Sequence, residues 1–192
     1  MKTALRVLAL AAWLVTAPAM AADPTEAQLL KALSDGRHVG LMRHSSAPGI
    51  GDPPEFKLGD CATQRNLSDT GRAEARAMGQ KLRQAGVTTL SIHSSQWCRC
   101  LDTAMLLDFG AVKSEPALNS FFQRDGAEPQ SVAVRALVAA APRRPSLLLV
   151  THQVNITELT GVNPASGAIV VVAPTAAGWK TLGTIAPATV GP

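Results

Sequence analysis

Tyrosine is absent from the 192 residues, and phenylalanine and tryptophan together bring the aromatic share to only 4%. Charged residues reach just 17% and form no run of either sign. These shortages exclude several classes. A basic stripe interleaved with stacking aromatics, which binds single-stranded nucleic acid, is not present. The formal net charge of +4 includes Lys2 and Arg6, and setting those two aside leaves +2. That is too little to argue for nucleic acid or a membrane surface as partner. There is no internal repeat, low-complexity tract, Walker phosphate loop or dinucleotide glycine fingerprint. Beyond the amino terminus, no apolar stretch approaches the roughly 20 residues of a spanning helix.

Residues 1–21, MKTALRVLALAAWLVTAPAMA, read as a secretory signal peptide. Lys2 and Arg6 supply the positive start, Val7 to Val15 the apolar stretch, and Ala19-Met20-Ala21 the small-residue cleavage pattern. Cleavage after Ala21 would leave residues 22–192 as a single domain, periplasmic or secreted and free of the membrane. Export changes the reading of the cysteines. In an oxidising compartment a disulfide is expected among Cys61, Cys98 and Cys100, and three single pairings are open. The four histidines show no zinc-ligand spacing with the cysteines, so no metal is expected.

Apolar periodicity outlines the elements. Thr25 to Ser34 fits a short amphipathic helix, and His38 to His44 a first strand. Residues 45–66 are rich in Gly, Pro and Asp, and read as a long loop over a site. Ser68 to Ala85 has helical spacing and ends before Gly86. Thr88 to Ser95 reads as a second strand, Trp97 to Leu107 as a helix, and Pro129 to Ala140 as another. LLLVT is a buried strand, and AIVVVAP and WKTLGTIA close the chain as a hairpin or edge strands. Helices alternating with apolar strands predict an α/β fold, a three-layer α/β/α sandwich around a mostly parallel sheet.

Two of the apolar runs end on histidine: VGLMRH closes on Arg43 and His44, and LLLVTH on His152. A third, LSIHSS, leads into the helix that carries Arg99. In an open α/β sheet the carboxyl ends of strands form the ligand crevice, so these side chains are expected to converge there. Arginine is rarely buried without a partner, and Arg43 abutting a core strand suggests an anion. His38 and His93 are read as structural.

The ordered set LMRHS, RNLSDTGRAEA, SSQWCRCLDTA and VTHQ resembles the signatures of the histidine phosphatase superfamily. The resemblance spans nearly all of residues 22–192 and implies a phosphoglycerate mutase-like fold. It also implies roles: His44 as the nucleophile that accepts a phosphoryl group, with Arg43, Arg99 and His152 around its oxygens. Ser45 and Asn66 are taken as further substrate contacts. The implied activity is metal-independent hydrolysis of a small phosphate monoester, with no cofactor. A non-catalytic phosphoryl-ligand-binding protein on the same fold is the alternative.

Several positions depart from the family pattern. Ser45 stands where glycine is common and Gln96 where proline is usual. The family resembled has a mutase-like branch and a second branch with an aspartate after the second histidine; His152 is followed by Gln153, so the resemblance is to the first. That branch carries a glutamate as proton donor after the second arginine helix, but ALNSFF offers only Asn119 and Ser120. Asp125 is the preferred replacement, ahead of Glu128, with Glu158 ranked lower. Lys57 and Arg65 either extend the positive field or are solvated loop charges.

Overall fold

The computed structural model describes residues 23–123, 125–142, 144–176 and 178–189. The expected signal peptide lies outside the described residues. One six-stranded sheet runs in the order β3-β2-β4-β1-β5-β6. Strands β1 (Val39–Arg43), β2 (Leu90–Ser94), β3 (Val112–Ser114) and β4 (Ser146–Thr151) pair in parallel. Strands β5 (Ile169–Thr175) and β6 (Gly178–Ile185) form an antiparallel hairpin whose first strand pairs with β1. The closing segments are therefore a hairpin in which β6 is one edge of the sheet.

Helices cover both faces, which explains why β4 is apolar at successive positions and buried at all six residues. On one face Met42, Ile92, Leu148, Val150 and Ile169 pack against α1 (Glu26–Ala32), α2 (Asp69–Gln84) and α3 (Cys98–Leu106) through Leu29, Met78, Leu82, Cys100 and Ala104. On the other, Leu41, Leu147, Leu149 and Val170 meet α4 (Ala127–Ala140) and α5 (Gln153–Thr160) through Val134, Val138, Ile156 and Leu159. The α/β/α sandwich and the mostly parallel sheet are as expected.

Local chemistry sets the helix ends. Thr25 and Gln28 form a capping box at α1. Ser68 caps α2 by accepting from the Gly71 amide. Helix α4 begins at Ala127, two residues before the expected Pro129, because proline is tolerated in a first turn. The three-residue edge strand β3 carried no apolar period and was not expected from the sequence.

Two glycines of α2 mark close approaches. A Cβ on Gly71 would sit 2.0 Å from the carbonyl oxygen of Ser46, just past His44, and one on Gly79 would sit 2.2 Å from that of Leu107, at the end of α3. Both neighbours are backbone and cannot swing aside. Gly79→Ala should therefore destabilise the protein by about 1–3 kcal/mol despite the better helix propensity of alanine. Thermal unfolding should show this as a fall of several degrees, and an unchanged or raised midpoint would contradict the packing described.

Candidate active site

Parallel pairing of β1 with β4 sets Arg43 opposite Thr151, and the His44 amide donates to the Thr151 carbonyl at 3.0 Å. The next residues, His44 and His152, thus emerge side by side from adjacent strands. Their rings lie 5.6 Å apart, edge to face. Both line a cavity of about 510 Å³ together with Arg43, Asp52, Arg65 and Arg99.

The His44 ring is oriented by its own chain. Its Nδ1 lies 2.8 Å from the Ser45 carbonyl oxygen. A carbonyl only accepts, so Nδ1 carries the proton and Nε2 holds the lone pair. Burial pushes the imidazole down to about 3, and Arg99, Arg65 and Arg43 act in the same direction against the Ser45 hydrogen bond. His44 is therefore neutral at physiological pH, with a nucleophilic nitrogen left for the cavity.

His152 sits in a polar network. Its Nε2 is 2.9 Å from Ser95 Oγ and 3.5 Å from Cys100 Sγ, while Nδ1 faces Arg99 Nη2 at 3.5 Å. Ser95 Oγ donates in turn to Asn119 Oδ1 at 3.2 Å. Burial, then His44 and Arg99, holds the His152 imidazole well below its ordinary value. Burial also pushes the Cys100 thiol up to about 12, so it stays protonated.

Both histidines have lower values folded than unfolded, which fixes the sign of their effect on stability. Between about pH 6.5 and 3 the unfolded chain binds protons at His44 that the native state does not, so stability falls as pH falls. Each such group contributes up to about 1.4 kcal/mol per pH unit. Chemical denaturation between pH 7 and 5, above the carboxylate range, should show this loss. His44→Asn should flatten the slope, and a wild-type protein equally stable at both pH values would contradict the buried, neutral imidazoles.

The arginines differ in what they hold. Arg43 donates through Nη1 to the Pro164 carbonyl at 2.9 Å, and its buried Nε has no partner among the described residues. Arg65 clasps the loop behind His44, donating to the carbonyls of Gly51 (2.7 Å) and Ala47. Arg99, only 3% exposed, forms an ion pair with Asp52 through Nη1 (2.7 Å) and Nη2 (3.2 Å). Its Nε is also buried without a partner among the described residues. Asp52 accepts further bonds from Trp97 Nε1 (2.9 Å) and the Arg65 amide (3.1 Å). Burial alone would raise the Asp52 carboxyl, but Arg99 and Trp97 outweigh it and keep the group ionised. A disulfide joins Cys61 to Cys98, tying the same loop to the first turn of α3, and Cys100 is free.

Of the residues expected at the site, Arg43, His44, Arg99 and His152 meet in this cavity. Three others do not. Asp125 lines an adjoining cavity with Leu58 and Gln130, which meets that of His44 across Phe56, Trp97 and Ser120. Asn66 turns its amide onto the Cys61 and Gln64 carbonyls (2.6 and 3.1 Å) and steadies the loop. Ser45 is fully buried away from the cavity and contributes its carbonyl, not its hydroxyl, through His44. Glu128 lies in the first turn of α4, Glu158 is exposed on α5, and Lys57 is exposed away from the cavity. Arg65 is the basic loop residue that reaches it. Asp52, Ser95 and Trp97 were missed: nothing in the loop composition marks Asp52, and Ser95 and Trp97 are polar and apolar residues of a turn. Among the described residues, no three His, Cys, Asp or Glu side chains are grouped to hold a metal, and no helix is long and apolar enough to cross a membrane.

No family model and no curated protein matches the chain. Solved structures do match. The protein histidine phosphatase SixA complexed with tungstate is 18% identical, with a TM-score of 0.57 over 78% of this chain and 96% of that one. The mycobacterial glucosyl-3-phosphoglycerate phosphatase complexed with inorganic phosphate is 18% identical, with a TM-score of 0.60 over 81% of this chain and 100% of that one. A further mycobacterial hydrolase is 19% identical, with a TM-score of 0.61 over 79% and 99%. The chain thus has the phosphoglycerate mutase-like fold that these proteins share.

Proposed function

We propose that the chain is an exported phosphatase of the histidine phosphatase superfamily, hydrolysing small phosphate monoesters through a phosphohistidine on His44. One observation carries the reading: a neutral imidazole, with its lone pair on Nε2, borders a cavity that three guanidiniums and a second imidazole also line. Guanidinium forks match the oxygens of a phosphoryl group, where charge spreads during transfer. The Ser45 carbonyl accepts from Nδ1 and so steadies the positive charge that the ring gains on phosphorylation.

The neutral nucleophile also weighs against a protein that only binds phosphoryl ligands. Anion binding calls for donors, and a lone pair turned towards the oxyanion would weaken it. SixA and the glucosyl-3-phosphoglycerate phosphatase, both of this fold, support the superfamily and a phosphoryl substrate. The Cys61–Cys98 bridge supports an oxidising compartment, hence periplasm or exterior. The test is to incubate the purified protein with a ³²P-labelled monoester and quench in alkali. Label retained on the protein and lost in acid is the expected phosphohistidine, and turnover without any trapped label argues against it.

A further inference from the structure

The segment ALNSFF offers no acid, Asp108 and Glu115 before it do not line the cavity of His44, and Asp125 lies outside it too. We infer that Asp52, from the loop behind the nucleophile, carries the proton in both half-reactions while sharing Arg99 with the phosphoryl group. This rests on the phosphohistidine reading and extends it to the group that protonates the leaving oxygen.

Three observations point to Asp52. Among the described residues it is the one carboxylate lining the cavity that holds His44 and His152. It is bonded to both terminal nitrogens of Arg99, so a phosphoryl group seated on that guanidinium would lie next to the carboxylate. Its position is also pinned: Arg65 holds the Gly51 and Ala47 carbonyls, and the Cys61–Cys98 bridge fastens the far end of the loop to α3. A proton carrier and a mere neutraliser of Arg99 differ in how strongly they act on a poor leaving group.

The chemistry balances with groups already present. A monoanionic ester seated on Arg99 draws that guanidinium away from Asp52, which relaxes the contact holding the carboxyl low and lets Asp52 take the phosphoryl proton. His44 Nε2 then forms the N–P bond as the P–O bond to the leaving group breaks, and Asp52 returns the proton to the departing oxygen, releasing an alcohol. Water next attacks phosphorus, the N–P bond breaks with its electron pair returning to Nε2, and Asp52 takes the proton from the water. Orthophosphate leaves and Asp52 gives up its proton to solvent.

The test compares Asp52→Asn with wild type on two esters, an alkyl phosphate and p-nitrophenyl phosphate, whose leaving group needs no proton. General acid assistance is worth about 10²–10⁴ in rate. The value of kcat/KM for the alkyl ester should therefore fall at least about 10²-fold further than that for the nitrophenyl ester. Because the second half-reaction also loses its base, alkali-stable phosphoenzyme should accumulate on Asp52→Asn, and Asp52→Glu should restore part of the alkyl activity. Binding of orthophosphate by Asp52→Asn, followed calorimetrically, checks that the pocket still forms. Equal losses on both esters would reduce Asp52 to a brace for Arg99 and overturn the inference, as would equal gains on both. Trapped label on wild-type His44 alongside such a result would leave the phosphohistidine reading standing.

Discussion

Replacing His44 with alanine should end phosphate release, with a fall in kcat of at least about 10⁴-fold, since the covalent route has no second nucleophile to use. The fold should survive. The His44 amide, which pairs with Thr151, is a backbone group that alanine keeps, and removing a buried imidazole relieves the desolvation that lowers its pKa. Circular dichroism unchanged, no ³²P trapped and no orthophosphate above the uncatalysed level are the expected results. Undiminished turnover by folded His44→Ala protein would refute the phosphohistidine mechanism, whatever the substrate.

Arg99→Ala should have the next largest effect. Losing one preorganised donor to a transition-state oxyanion costs about 10²–10³ in kcat. Arg99 does more than donate: it also faces His152 Nδ1 and anchors Asp52. Its removal leaves Asp52 with only Trp97 and the Arg65 amide, so the carboxyl should rise towards its ordinary value and the loop should loosen. Arg99→Lys keeps the charge but loses the planar fork, so it should recover substrate affinity better than kcat. A KM effect without a kcat effect for Arg99→Ala would place Arg99 in ground-state binding alone.

The four cavity residues legible in the sequence share one property: each sits at the end of a periodic element or just beyond it, Arg43 and His44 at the close of β1, His152 after β4 and Arg99 in the first turn of α3. Apolar runs announce strands, and the residue after a run in a parallel sheet is bound to reach the crevice, so the positions of His44 and His152 are legible in the sequence. Asp52 had no such handle. It lies in a Gly- and Pro-rich loop, and its partner Arg99 is distant in the chain, so only the folded loop brings the pair together. Asp125 was preferred because it follows the expected acid position in sequence, yet after the 3₁₀ turn at Pro116–Leu118 it lines the adjoining cavity, with Phe56 and Trp97 between it and His44's. The strand β3 escaped notice for a different reason: three residues, two of them polar, give no period to read.

The two imidazoles owe their spacing to a backbone ladder rather than to contacts of their own. A slip of one residue between β1 and β4 would turn the side chain of residue 44 to the opposite face of the sheet, and with it Leu41 and Met42 would exchange their surroundings. The hydrophobic interior therefore polices the reacting atoms. A misregistered chain is penalised for its misplaced leucines and methionines, so no well-packed but inactive isomer lies close at hand, and the same ordering that buries the core assembles the machinery.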